Sequence, residues 1–154
     1  MSVIRDPFKV EGRRGTGYPA EFAKGFEGRI KRALGNAGGL TQFGVNLTTL
    51  DPGAMSAQRH WHEAEDEFVY VLDGELTLIT DDGEEVLSAG MAAAFPAGER
   101  NGHHLINRSG SPATYLEVGT RAQDDDGDYP DIDLRFEKRA GKVRFLHKSG
   151  EPYE

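Results

Sequence analysis

The chain has 154 residues, of which 37% are hydrophobic and 29% charged, a composition that predicts one packed globular domain rather than a disordered chain. Its net charge of -8 disfavours nucleic acid as a partner, because an acidic surface repels phosphate. The absence of cysteine excludes disulfides and thiolate metal ligands, and no apolar run approaches the roughly 20 residues that span a bilayer. With no signal-peptide pattern at the N-terminus, we expect a cytoplasmic protein without a membrane partner.

Residues 1–39 are polar and irregular and are predicted to form an N-terminal arm. Between residues 19 and 39, four apolar side chains recur at every fourth position, which favours a short helix. They are Phe22, Phe26, Ile30 and Leu34. A neighbouring basic trio is expected to form a solvated face. It consists of Arg29, Lys31 and Arg32.

From residue 40 onward, short runs rich in β-forming residues alternate with turn residues. Residues 67–87 predict three strands joined by Asp-Gly and Asp-Asp-Gly turns. Further strands are predicted within 40–50, 91–98, 103–109 and 113–121. Strands and turns at this spacing indicate an all-β sandwich or barrel over residues 40–121.

Residues 122–154 are predicted to form a C-terminal extension that packs on the barrel and adds one or two edge strands. The extension begins near an acidic run, Asp-Asp-Asp-Gly-Asp, at 124–128. Because this run lacks the ligand spacing of a calcium loop, we predict a solvated acidic loop there.

A cluster of possible metal ligands is the most informative feature of the chain. His60 and His62 are two residues apart, so in a strand both imidazoles point to one face and can meet one ion. Glu67 opens the next strong strand, and His103 lies in a separate one. Three neutral imidazoles and one carboxylate suit a divalent transition metal such as Zn, Mn, Fe, Ni or Co.

Two motifs around these residues resemble those of the cupin superfamily. The first is His-x-His-x4-Glu-x6-Gly, from His60 to Gly74. The second runs from Gly90 to Asn107 and matches Gly-x5-Pro-x-Gly and His-x3-Asn, with two extra residues before the histidine. The resemblance implies a double-stranded β-helix, or jelly-roll barrel, with N- and C-terminal extensions and a metal inside one end. The implied metal ligands are His60, His62, Glu67 and His103.

Neighbouring residues offer alternatives to two of these ligands. Glu67 follows three other carboxylates, and both the family spacing and its position at the start of a strand favour it. The other carboxylates are Glu63, Glu65 and Asp66. The lengthened turn leaves both His103 and His104 open as the fourth ligand, and the His-x3-Asn spacing favours His103.

Four further residues are predicted to line a substrate pocket beside the metal. Gln58 shares strand parity with His60, and Phe95 precedes the Pro-x-Gly turn. Arg100 lies in the lengthened turn and could reach the mouth of the barrel, and His104 is one possible general base.

More narrowly, the segments RHWH, FPAG and GHHLINRS resemble small single-domain bacterial cupins of a sugar-phosphate-isomerase-like group. This resemblance implies a metal-dependent enzyme with isomerase or lyase chemistry on a small polar substrate, and a homodimer. An Fe(II)-dependent dioxygenase and a non-catalytic small-molecule binding module are the alternatives, because the same ligands suit each of them.

Overall fold

The computed structural model describes all 154 residues, and most of its regular structure is antiparallel β-sheet. In chain order the strands are β1 Gly12–Arg14, β2 Arg29–Ala33, β3 Phe43–Leu50, β4 Trp61–His62, β5 Glu67–Asp73, β6 Glu75–Thr80, β7 Gly83–Ser88, β8 Ala92–Phe95, β9 His104–Ile106, β10 Ala113–Thr120, β11 Asp125–Tyr129, β12 Leu134–Arg139 and β13 Lys142–Leu146. The helical segments are the 3-10 turns Pro7–Lys9 and Ala20–Phe22 and the single-turn helix α1, Leu34–Ala37. None of them is long and apolar enough to cross a membrane.

The strands form three sheets, which confirms the predicted all-β jelly-roll architecture. A six-stranded sheet has the order β1-β2-β3-β10-β5-β8, with β10 hydrogen-bonded to β3 on one side and to β5 on the other. A three-stranded sheet, β7-β6-β9, faces it, and a four-stranded sheet, β13-β12-β11-β4, covers one end.

The main core lies between the six-stranded and three-stranded sheets, and alternating side chains build it. On β5, Val69 and Val71 point inward and are buried, whereas Phe68, Tyr70 and Leu72 point outward and stay exposed. This is the alternation of side chains expected of a strand with one buried face. The homodimer stays a prediction, and the outer face of β5 offers apolar surface for it.

The N-terminal arm differs from the helix predicted for it. Residues 29–33 form β2, which pairs with β3 from Arg29↔Leu50 to Ala33↔Asn46, and only one turn of helix follows. Pairing with the open edge of β3 satisfies more backbone groups than a helix interrupted by Gly25 and Gly28 could. The solvated basic face was also wrong for Arg29, which is buried and donates to the carbonyls of Ser56 and Gly15.

The acidic run at 124–128 is not a loop, so that prediction was wrong. Most of it forms β11, which pairs with β12 on one side and with β4 on the other. Asp125 is only 3% exposed, because its carboxylate has hydrogen-bond partners inside the protein. Behind β11 a second core packs around Tyr129, Leu134 and Phe136.

The turn between β5 and β6 depends on Gly74. Its φ is +79°, and a Cβ there would lie 2.8 Å from the Cβ of Ala113 and 2.9 Å from the carbonyl oxygen of Pro112. A side chain would therefore meet both an unfavourable backbone conformation and a steric clash. Gly53 has a similar φ of +84° but open space around it.

We therefore expect Gly74→Ala to destabilise the protein more than Gly53→Ala. The left-handed backbone should cost about 1 kcal/mol in each variant, and the clash should add about 1–3 kcal/mol in Gly74→Ala alone. Equilibrium denaturation with urea would measure both free energies of unfolding. Equal losses in the two variants would contradict the steric part of this argument.

Candidate metal centre

Three chain segments bring the predicted ligands together in the barrel. His62 ends the short strand β4, and Glu67 is the first residue of β5. His60 and His103 are joined by a pair of backbone hydrogen bonds, of 3.2 Å and 2.9 Å. This pairing brings residues 43 positions apart in the sequence next to each other.

Glu67 is the common neighbour of the three imidazoles. Its carboxylate oxygens lie 2.7 Å from His103 Nε2, 3.4 Å from His60 Nε2 and 3.6 Å from His62 Nε2. Ligand atoms of His60, His62 and Glu67 all lie within 4.8 Å of one another. Donors around one transition metal are about 3 Å apart, so this cluster could hold a divalent ion.

The structure also separates His103 from His104. His103 contacts Glu67, and its ring stacks on Phe95 with 3.6 Å between centroids. His104 borders the same cavity, but its Nδ1 lies 2.9 Å from the carbonyl oxygen of Ala57. The contact with Glu67 therefore favours His103 as the fourth ligand.

The protonation states of Glu67 and His103 suit cation binding. Burial alone would raise the pKa of Glu67, but the charge of His60 and the hydrogen bond with His103 hold that pKa well below its usual range. Burial lowers the pKa of His103, which keeps this imidazole neutral. An ionised carboxylate and a neutral imidazole are the forms in which these side chains bind metals.

His62 is held from its other side by Asp125. The Nδ1 of His62 lies 2.6 Å from Asp125 Oδ2, and the amide of Ala64 donates to Asp125 Oδ1 at 2.7 Å. Burial disfavours a charged His62, but the hydrogen bond to Asp125 and the negative charge of Glu67 outweigh it and raise the pKa to about 10. A pKa raised in this direction favours protonation of both His62 nitrogens at neutral pH when no metal is bound.

The cluster opens into a cavity of about 340 Å³. Phe95 and His104, both predicted to line a pocket, border it. Two charged residues of the six-stranded sheet, Lys31 and Glu117, also line the cavity. They form an ion pair, with 2.5 Å between Lys31 Nζ and Glu117 Oε1. The cavity is large enough for a small polar molecule and too small for a polymer.

Two predicted pocket residues lie elsewhere. The side chain of Gln58 donates to the backbone carbonyl of Phe22 at 3.0 Å, so this residue ties down the N-terminal arm. Arg100 is exposed, with its guanidinium 5.1 Å from the centre of the Trp61 ring and 3.4 Å from the carboxylate of Glu63. Neither side chain borders the cavity, so these two predictions were wrong.

Sequence reasoning missed Asp125, Lys31 and Glu117. A period of two could have indicated the first, because residues 125, 127 and 129 are buried alternately with half-buried neighbours. Lys31 lies two residues from Arg29 on one face of β2, and Glu117 lies two residues from Tyr115 on β10. The acidic run at 124–128 hid the alternation around Asp125.

Comparisons with known proteins agree with this geometry. The sequence profile described as "Cupin domain" matches residues 46–119. The structure is similar to that of a sugar phosphate isomerase from a cupin superfamily of Silicibacter pomeroyi, with a TM-score of 0.92 and 45% sequence identity over 97% of this chain and 95% of that one. A search of curated proteins finds no match.

Two more distant structures share the fold. A proposed sugar phosphate isomerase from Acidithiobacillus ferrooxidans is 24% identical, with a TM-score of 0.84 over 100% of this chain and 96% of that one. A polyketide cyclase from Streptomyces resistomycificus is 22% identical, with a TM-score of 0.63 over 78% and 80%. At this identity the similarity concerns the fold alone.

We expect His62→Ala to abolish stoichiometric metal binding, because it removes one donor from the cluster. His103→Ala should weaken zinc affinity by at least about 100-fold, whereas His104→Ala should leave it within a few-fold of the wild type. Elemental analysis and titration with zinc would measure both effects. His147→Ala is a matched control, because that imidazole pairs with Asp133 far from the cluster. Full metal content in His62→Ala would show that the ligand assignment is wrong.

Metal binding should also strengthen as the pH rises. With the pKa of His62 near 10, one proton must leave its Nε2 before this atom can bind an ion. Below that pH, each pH unit should therefore raise the apparent affinity about tenfold. Calorimetric titration with zinc in buffers of different ionisation enthalpy would count the released protons. No proton release at neutral pH would contradict the assigned state of His62.

Proposed function

Because the chain belongs to the cupin superfamily, we propose that it is a metal-dependent enzyme that isomerises a small sugar phosphate. The observation that carries this proposal is the cluster of three imidazoles around Glu67 in the lining of a cavity of about 340 Å³. The Silicibacter pomeroyi relative, which is 45% identical to this chain, is named a sugar phosphate isomerase, and this supports a sugar phosphate as the substrate.

The donor set fits a divalent transition metal. The residues that would hold the ion are His60, His62, Glu67 and His103. When bound, such an ion would polarise a substrate carbonyl and stabilise the negative charge that develops on its oxygen.

Isomerisation also needs a group that moves a proton between neighbouring carbons, and Glu117 fits this role. It is the one acidic side chain of the cavity lining outside the ligand cluster. Asn46 Nδ2 donates to its Oε1 at 2.9 Å, and the Tyr115 hydroxyl donates to its Oε2 at 3.4 Å. These contacts orient the carboxylate, whose oxygens can accept a proton from one substrate carbon and return it to the next.

Three cationic side chains in the cavity lining favour an anionic substrate. They are Arg29, Lys31 and Arg121. Arg29 is buried and engaged by backbone carbonyls, so it contributes positive potential rather than a direct contact. Lys31 pairs with Glu117. Arg121 donates to the Leu40 carbonyl and to Asn36. Both side chains are partly exposed, so a phosphate group could replace these contacts.

The ligand set alone suits an Fe(II)-dependent dioxygenase equally well, and Glu117 is the observation that favours an isomerase. Oxygen chemistry does not require a general base outside the ligand set, whereas proton transfer between carbons does, and Glu117 could be that base. A binding module would need neither oxygen chemistry nor proton transfer.

We expect the zinc-, manganese-, iron-, cobalt- or nickel-loaded protein to interconvert an aldose phosphate and its ketose isomer. Incubation with a panel of pentose and hexose phosphates in deuterium oxide, followed by NMR, would detect the product and the deuterium incorporated beside the carbonyl. Glu117→Gln should retain the metal but lose activity about 100-fold or more.

Glu84→Gln is the matched control, since Glu84 is exposed and pairs with Arg108 on the surface. Oxygen consumption by the iron-loaded protein with a consumed substrate would overturn the isomerase in favour of a dioxygenase. Binding of sugar phosphates without turnover for any metal would favour the binding module.

A further inference from the structure

We propose that Asp125 is a positioning residue that sets the tautomer of His62 and so leaves its Nε2 free to bind a metal. This inference rests on the metal centre of the proposed function, and it extends that centre beyond the four ligands. It also assigns a role to the C-terminal extension, which lies outside residues 46–119 matched by the family profile.

Both carboxylate oxygens of Asp125 accept hydrogen bonds inside the protein. The side chain is 0% exposed, Oδ2 lies 2.6 Å from His62 Nδ1, and Oδ1 accepts the amide of Ala64 at 2.7 Å. An ionised carboxylate only accepts hydrogen bonds, so the Nδ1 of His62 must be the donor. In the neutral imidazole the lone pair then lies on Nε2, the atom that faces Glu67 at 3.6 Å.

The position of Asp125 follows from close contact between two strands. β11 pairs with β4 through Gly127↔His62 and Asp128↔Trp61. A Cβ at Gly127 would lie 2.1 Å from the Phe136 ring and 2.5 Å from the Trp61 carbonyl oxygen, so only glycine permits this approach. Asp125, two residues earlier on the same face of β11, is thereby held against His62.

The other carboxylate near His62 is already engaged. Glu65 Oε2 lies 3.7 Å from His62 Nδ1, but Glu65 Oε1 is 2.6 Å from Lys138 Nζ and accepts the amide of Ala122 at 3.0 Å. The ammonium of Lys138 neutralises Glu65, which also argues against a second ion held by His62, Glu65 and Asp125. Asp125 is therefore the hydrogen-bond partner that decides how His62 presents its ring.

Zinc affinities of Asp125→Asn and Asp125→Ala separate a tautomer effect from a structural one. In Asp125→Asn the amide oxygen can still accept from Ala64, which turns the NH2 group towards Nδ1 of His62 and moves the imidazole proton to Nε2. Asp125→Ala removes the hydrogen-bond partner of Nδ1, so the imidazole can populate both tautomers. We expect zinc affinity to fall about 10–100-fold in Asp125→Asn and by less in Asp125→Ala.

A purely structural role predicts the opposite order, because asparagine keeps the size of the side chain and the bond to Ala64. Competition with a chromogenic chelator would give the zinc affinities, and thermal unfolding of the metal-free proteins would report on the fold. Asp126→Asn is the matched control, since Asp126 is half exposed and pairs with Arg139. If Asp125→Ala does not fold, Asp125→Asn compared with the wild type and with Asp126→Asn decides.

Wild-type zinc affinity in Asp125→Asn, or a greater loss in Asp125→Ala, would overturn the inference and leave the metal centre standing. A second zinc ion per chain that disappears with Asp125 would overturn it as well, because Asp125 would then be a ligand. Failure of the wild-type protein to bind zinc or any other divalent metal would instead refute the metal centre of the proposed function.

Discussion

The negative charge of Glu67 among three imidazoles is the interaction on which the organisation of this barrel end depends. Its carboxylate approaches His60, His62 and His103, and with Glu67 itself these residues come from three separate chain segments. The backbone pairing of His60 with His103 and the pairing of β5 with both β10 and β8 hold those segments in register. Because imidazoles gathered in one place repel each other when charged, the carboxylate and the burial of the cluster must together control their protonation.

The two extensions outside the matched domain supply the groups that surround this cluster. From the N-terminal side, β2 brings Arg29 and Lys31 to the cavity, and Lys31 pairs with Glu117 on β10. From the C-terminal side, β11 buries Asp125 behind His62. The barrel thus carries the candidate ligands, whereas the extensions add charged groups to the cavity and place a carboxylate behind one candidate ligand. Cupin chains that share the ligands can therefore differ in chemistry through their extensions.

The sequence by itself determined the all-β fold, the turn at Gly74 and the segment positions of His60, His62 and Glu67. These features are local, since a strand repeats every two residues and a ligand motif has a short spacing that the sequence displays directly. Only the tertiary structure decided which of His103 and His104 contacts Glu67, and that Gln58 and Arg100 face away from the cavity. It also showed that a run of acidic residues forms strand β11, in which every second residue is buried. The pairings of Asp125 with His62 and of Lys31 with Glu117 join residues 63 and 86 positions apart, and such long-range contacts leave no periodic trace in the sequence.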